Sequence, residues 1–294
     1  MLRNWKTSPT IALIALVGVC AAWGGTFLAM QTAIARVPVL DFLAVRFTVA
    51  TLVMIILRPT ALRYISKDEL KHGILLGLAL GAGYITQTYG LLYASATVSG
   101  FITGMFVVLT PVMSWLILRH RITVKMWLAV TLATLGLGLL SIHDWAIGPG
   151  EMLTLACAVF YAIHIVGLGE WSAKSDAYRL AILQIGTVAV ITLIAATPHG
   201  ITLPPDAGTW GIVALTAILA TALAFFVQTW AQSLVSPTRA AVVMTMEPVF
   251  AGIFGVLLGD DKLSFQIITG GICILAAMLL VTLKATVKTN RQDS

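Results

Sequence analysis

The chain has 294 residues, of which 59% are hydrophobic and only 10% charged, with 18 Lys and Arg against 12 Asp and Glu; its mean hydropathy is +0.97. Soluble domains carry about a quarter charged residues, and so few charges cannot coat a soluble particle of this length, so lipid is expected to solvate most of the surface. The net charge of +6 comes from basic residues scattered between apolar runs, with no stripe and no binding motif, which excludes nucleic acid as an expected partner.

A hydrocarbon core about 30 Å thick needs roughly 20 apolar residues of helix, so uncharged runs mark the expected spans. Residues 8–35 hold the first; the run is too long for a signal-peptide core and lacks a convincing cleavage site. Residues 42–57 hold the second, interrupted by Arg46. The uncharged stretch 73–118 has room for the third and fourth, with a turn at 94–100, and 126–142 is the fifth. After a polar break at His143, Asp144, Gly148, Pro149 and Gly150, spans follow at 152–169, 180–197, 209–232, 238–258 and 263–283. The expectation is an all-α integral membrane protein with ten transmembrane helices.

Loop charges orient these spans by the positive-inside rule. With a cytoplasmic N-terminus, fifteen of the eighteen basic residues fall inside: Arg3 and Lys6; Arg58, Arg63, Lys67 and Lys71; Arg119, Arg121 and Lys125; Lys174 and Arg179; Arg239; Lys284, Lys288 and Arg291. Only Arg36 and Lys262 fall outside, and both termini are expected in the cytoplasm, with a frayed basic tail at 284–294. Cys20, Cys157 and Cys273 all lie within spans, so neither a disulfide nor a metal cluster is expected.

Sliding the chain on itself by 137 residues pairs Cys20-Ala21 with Cys157-Ala158 and Leu43-Ala44 with Leu180-Ala181. The same offset pairs Tyr93-Ala94 with Trp230-Ala231, Val98-Ser99 with Val235-Ser236, and Pro111-Val112 with Pro248-Val249. Two copies, 1–146 and 147–294, are expected. Five spans is an odd number, so the second copy enters the membrane from the other side as an inverted repeat, a transporter device in which two half-bundles rock about a shared site to give alternating access. Arg119-His120-Arg121 after the fourth span and Gly259-Asp260-Asp261-Lys262 after the ninth carry the charges that opposite orientations require. Gly73, Gly77 and Gly81 form a small-residue ridge suited to helix packing.

Trp23-Gly24-Gly25-Thr26-Phe27, Arg46, and Glu247-Pro248-Val249-Phe250 followed by Gly259-Asp260-Asp261-Lys262-Leu263-Ser264, set in ten duplicated spans, resemble the EamA family of the drug/metabolite transporter superfamily. The likeness covers nearly the whole chain. It implies a multi-pass inner-membrane transporter, usually an exporter of amino acids or other small metabolites, and within the family it is similar to amino-acid exporters of the YddG type. One departure is Arg119-His120-Arg121-Ile122-Thr123, where the family usually has a Gly-Glu-Arg-like turn.

An Arg or Asp at the bilayer centre costs about 2.5 to 3.5 kcal/mol on insertion scales, so each ionisable group at membrane depth needs a reason. Arg46, one turn into the second span, can snorkel to headgroups or bond backbone carbonyls in a structural role. His164 shares a helical face with Tyr161 and reads equally as a neutral core histidine or a substrate ligand. Glu247 precedes Pro248, whose missing N–H frees a carbonyl and bends the helix; it is the candidate for coupling export to proton entry, against the alternative of a kink element. Pro111 is the counterpart of Pro248, with Thr110 in place of Glu247.

Helical spacing groups Trp23, Thr26 and Met30 on the first span, Tyr84, Gln87 and Thr88 on the third, and Thr221, Phe225 and Gln228 on the eighth as a substrate wall. Tyr93 and Trp230, at equivalent repeat positions, read as paired aromatic gates or belt residues, and Trp5, Trp127, Trp145, Trp171 and Trp210 as interfacial belt. Aromatics with uncharged hydrogen-bonding groups suit a zwitterion with an apolar side chain. No cofactor is expected and no enzyme motif occurs, neither His-Glu-x-x-His nor Gly-x-Ser-x-Gly. The expected partners are a small-molecule substrate such as an amino acid or related metabolite, the lipid bilayer, and protons. Alternatives are export of nucleosides or quaternary amines, or a non-transporting receptor or structural protein, for which inverted duplication has no reason.

Overall fold

A computed structural model describes residues 8–119, 124–143, 146–235, 240, 243–244, 246–259, 262 and 264–282. Arg3, Trp5, Lys6, His120, Arg121, Ile122, Thr123, Asp144, Trp145, Ser236, Arg239, Asp260, Asp261, Leu263, Lys284, Lys288 and Arg291 lie outside the described residues. The helices are α1 (Pro9–Ile34), α2 (Val39–Leu57), α3 (Lys67–Gly90), α4 (Ala96–Gly104), α5 (Phe106–Leu118) and α6 (Val124–Ser141). They continue as α7 (Pro149–Trp171), α8 (Ala177–Ala196), α9 (Ala207–Ala217), α10 (Ala224–Leu234), α11 (Met246–Leu258) and α12 (Phe265–Thr282). A two-residue antiparallel pairing, Ile142–His143 with Ala146–Ile147, precedes α7.

Local chemistry explains where these helices begin. Ser8, Ser66, Ser95, Asp176 and Asp206 each accept a backbone N–H from the first turn that follows, satisfying donors the helix leaves unpaired. At Ser66 the Glu69 carboxylate returns the bond, completing a capping box. The cap at Ser95 starts α4 at Ala96, inside the stretch expected to be a turn. Arg119 ends α5 in the left-handed region (φ 58°), where an L side chain costs roughly 1 to 2 kcal/mol and glycine costs little.

Among the described residues six helical stretches are long and apolar enough to cross a membrane: Pro9–Ile34, Val39–Leu57, Ala96–Leu118, Pro149–Lys174, Ala177–Ala196 and Ala207–Leu234. Met246–Leu258 and Ile268–Ala277 are shorter apolar helices. The outside of the bundle carries Ile56, Leu257 and Phe265, each 73–80% exposed. Its interior holds Arg46, Gln87, Thr103, His164, Gln184, Thr229 and Glu247, all buried. Apolar groups outside and polar groups within is the distribution expected when lipid is the solvent.

The packing is reciprocal between the first six and last six helices. α1 lies on α11 as α7 lies on α4 and α5; α3 lies on α7 as α10 lies on α1; and α3 lies on α8 as α9 lies on α2. α2 pairs with α8, α4 with α11, and α6 with α12. Close approach is made possible at Gly24, where a Cβ would sit 2.6 Å from Phe250 Cβ and 2.8 Å from the Glu247 carbonyl oxygen. Gly73 and Gly77 of the ridge face Leu183 and Thr187 of α8.

α2 and α8 run antiparallel, and charged clasps join the halves at both ends of the pair. At one end, rich in basic residues, Glu69 accepts from Arg179 Nε (3.0 Å) and Nη2 (2.8 Å) and from the Asp176 N–H (3.1 Å), while Arg58 pairs with Asp176 (3.3 Å). At the opposite end Arg36 pairs with Asp206, and Asp41 accepts the Thr202 N–H (2.9 Å). Glu69 stands before the uncharged run that begins at Gly73. Burial raises its carboxyl, but the Arg179 guanidinium and two backbone N–H groups outweigh this and hold it at about 2.

Candidate functional site

α1, α2, α3, α5, α7, α10 and α11 enclose a cavity in the middle of the bundle. The empty volume among these side chains is about 450 Å³. The walls include Trp23, Thr26 and Met30 from α1, Arg46 from α2, Tyr84 and Gln87 from α3, and Tyr161 and His164 from α7. Phe225 and Gln228 come from α10, and Met244 and Glu247 from the neighbourhood of α11. The chain between α9 and α10, Ile218–Leu223, is wound as a π-helix. The looser turn leaves carbonyls free of the regular ladder, and the Trp23 indole N–H donates to one of them, Ala220 O (2.9 Å). This bond fixes the indole against Phe225, with ring centroids 5.4 Å apart.

Arg46 is 1% exposed. It does not reach headgroups and takes no backbone carbonyl among its hydrogen-bond partners; the neighbours that receive it inside are neutral. Nε donates to Thr221 Oγ1 (2.9 Å), Nη1 to Met30 Sδ (2.8 Å) and Nη2 to the Tyr84 hydroxyl (3.4 Å), and the guanidinium carbon lies 4.9 Å from the Tyr84 ring centroid. Among the described residues no carboxylate lies within 4.0 Å of it. Glu247 is 4% exposed, and among the described residues no hydrogen bond or ion pair reaches its carboxyl.

A polar relay crosses three helices beside the cavity. Thr229 Oγ1 donates to the Phe225 carbonyl (2.6 Å), so it accepts from Gln184 Nε2 (3.0 Å). Gln184 Oε1 therefore faces His164 Nε2 at 2.6 Å, and that nitrogen carries the proton. Nδ1 of the neutral ring then remains an acceptor without a partner among the described residues. On the other wall the Tyr161 hydroxyl donates to Gln87 Oε1 (3.2 Å), and Gln87 Nε2 donates to Thr103 Oγ1 (3.2 Å). Gly83 lets the Tyr161 ring lie directly against α3. Gln228 Oε1 is buried with no hydrogen-bond partner among the described residues.

Spacing along single helices thus brought Trp23, Thr26, Tyr84, Gln87, Tyr161, His164, Phe225 and Gln228 to one cavity, together with Arg46 and Glu247. Trp230 is not on its walls and packs beside Ala12, Leu16 and Val235; Tyr93 is 63% exposed in the turn after α3. The two do not face each other across the site, because the repeat offset that matched them also puts them at opposite ends of the bundle. Thr88 is buried outside the cavity, Pro111 lies inside α5, and Pro248 follows Glu247 in α11. Gln184 and Thr229 went unnoticed in the sequence, although an amide within the uncharged run 180–197 is itself the signal of a buried polar partner.

The sequence pattern of the EamA-like transporter family matches this chain twice, at residues 10–142 and 148–283. The chain belongs to the EamA-like transporter family. A protein of Archaeoglobus fulgidus described as an uncharacterized transporter is 33% identical over 276 residues, covering 93% of this chain and 85% of its own. The Bacillus subtilis protein described as uncharacterized transporter YoaV is 22% identical, covering 92% and 96%. A solved structure titled only as a crystal structure of a protein has the same fold, with a TM-score of 0.67, 20% identity and coverage of 98% and 100%. This EamA-family chain is accordingly a multi-pass membrane transporter for a small molecule.

Proposed function

We propose that this EamA-family protein is a ten-span secondary transporter that exports amino acids, apolar and aromatic ones among them, across the inner membrane by alternating access. The observation that carries the reading is the enclosed, aromatic- and polar-lined cavity at mid-bundle, built by helices from both stretches that match the family. The reciprocal packing of the two halves supports an inverted repeat with copies at 1–146 and 147–294. The excess of basic residues at the Glu69 end supports a cytoplasmic placement of that end and of both termini.

Tyr84, Trp23 and Phe225 supply apolar faces for a side chain, and Gln87, His164 and Gln228 supply neutral polar groups. Glu247, without a partner among the described residues, is the group that can exchange a proton for substrate; among the described residues Arg46, Tyr84, Tyr161, His164, Cys20 and Cys157 are the ionisable groups around it. Pro111 and Pro248 each remove a backbone N–H in the paired helices and mark where these can bend. The same aromatics with one carboxylate would also suit a quaternary amine.

The test is flux from proteoliposomes loaded with amino acids, nucleosides and quaternary amines, with and without a pH gradient. Amino-acid efflux accelerated by inward-directed protons, and insensitive to them in Glu247→Gln, is expected. Movement of amines alone would replace the substrate class, and equal gradient dependence in Glu247→Gln would remove proton coupling.

A further inference from the structure

We infer that Arg46 and Glu247 read the two ends of a zwitterion, Arg46 taking the substrate carboxylate and Glu247, with His164 Nδ1 and Gln228 Oε1, taking the ammonium. This rests on the amino-acid reading above and assigns the contacts that would select for it. The cavity is polar in an unbalanced way. Among the described residues Arg46 is a buried cation bonded only to neutral groups, through three of its five N–H donors. A buried charge is costly unless paired, and a guanidinium is matched best by a carboxylate that accepts two parallel bonds. On the other side stand three acceptors without a partner among the described residues: the Glu247 carboxyl, the lone pair of His164 Nδ1 and the buried Gln228 Oε1. An ammonium offers three N–H donors, the complement of that set.

The spacing agrees. Arg46 bonds Met30, and the Glu247 backbone packs on Gly24, six residues earlier on α1. Six residues of helix rise about 9 Å. An α-amino acid holds its nitrogen and carboxylate oxygen about 3 Å apart, and a hydrogen bond of about 2.9 Å at each end brings the span to about 9 Å. Phe27 lies between these two levels on α1 and lines the same cavity, where the side chain of such a ligand would rest.

The experiment measures binding to purified full-length protein by ligand-dependent thermal shift, with L-phenylalanine, phenethylamine (no carboxylate) and 3-phenyllactate (no ammonium). The wild type is expected to prefer phenylalanine to both. Arg46→Gln should weaken phenylalanine and phenyllactate by about thirtyfold or more and leave phenethylamine within about threefold. Glu247→Gln should spare phenyllactate and weaken the other two. Should Arg46→Gln not yield monodisperse protein, Arg46→Lys, which keeps the charge and loses the fork, should weaken the two carboxylates selectively. Wild-type protein that binds phenylalanine no better than the analogues, or folded variants that lose all three ligands in parallel, would overturn the inference and leave amino-acid transport standing. Failure of the wild type to bind or move any amino acid would overturn the underlying reading with it.

Discussion

The two ends of the α2–α8 pair are closed by the same chemical device in very different surroundings. At the basic end the Glu69 side chain is 7% exposed and accepts from Arg179, Ser66 and Asp176; at the other end Arg36 and Asp206 are 57% and 44% exposed. An exposed ion pair contributes little because water and salt screen it, whereas a buried carboxylate with several charge-assisted bonds is strongly held once formed. The ion pair at the basic end is therefore the costlier of the two to part, and the Arg36–Asp206 pair the cheaper.

The largest effect should come from breaking the buried clasp. Glu69→Ala leaves Arg179 only its 4.0 Å approach to Asp176 and removes a capping box, so it should lower stability by about 2 to 3 kcal/mol in thermal unfolding in detergent. A loss as small as that of Arg36→Ala would dissolve the comparison. Acid should act through the same carboxyl. Because Glu69 is held below its ordinary 4.5 at about 2, its contribution is fully present above pH 4.5 and is lost as pH falls toward 2. The stability at stake is about 3 kcal/mol, and Glu69→Gln should flatten that part of the pH profile.

A strained residue at the basic end calibrates how much of its behaviour belongs to the clasp. Arg119→Gly should stabilise by up to about 1 kcal/mol by relieving the positive φ, while leaving the acid profile unchanged. The smallest effect is expected at the exposed end. Thr209 donates both its N–H and its hydroxyl to Asp206, holding that carboxyl below its ordinary range. Asp206→Asn keeps an α9 cap and removes the charge, so it should shift the thermal midpoint least of these variants, with salt abolishing the difference.

Much of this arrangement was legible because helical spacing is local. Tyr84 and Gln87, or Phe225 and Gln228, fall on one face whatever surrounds them. Arg46 was not legible in the same way: its bonds go to Met30, Tyr84 and Thr221, 16, 38 and 175 residues away, and nothing within α2 says that these neighbours converge on it. The π-helix at Ile218–Leu223 was hidden as well, since it is secured by Trp23 reaching across from α1 and by Thr221 bonding the Thr216 carbonyl (2.8 Å). Trp230 misled because a repeat match reports common descent of two positions and says nothing of which of them lines the site.

The transported molecule is expected to bind in the cavity lined by Trp23, Thr26 and Tyr84. Counterflow of labelled L-phenylalanine should be compared in proteoliposomes of the wild type, of Asp206→Asn, and of Thr26→Phe, which fills the α1 wall of the cavity. The wild type and Asp206→Asn are expected to carry the label and Thr26→Phe to lose most of its flux while remaining folded. Undiminished counterflow through Thr26→Phe, or none through the wild type, would contradict binding in the cavity.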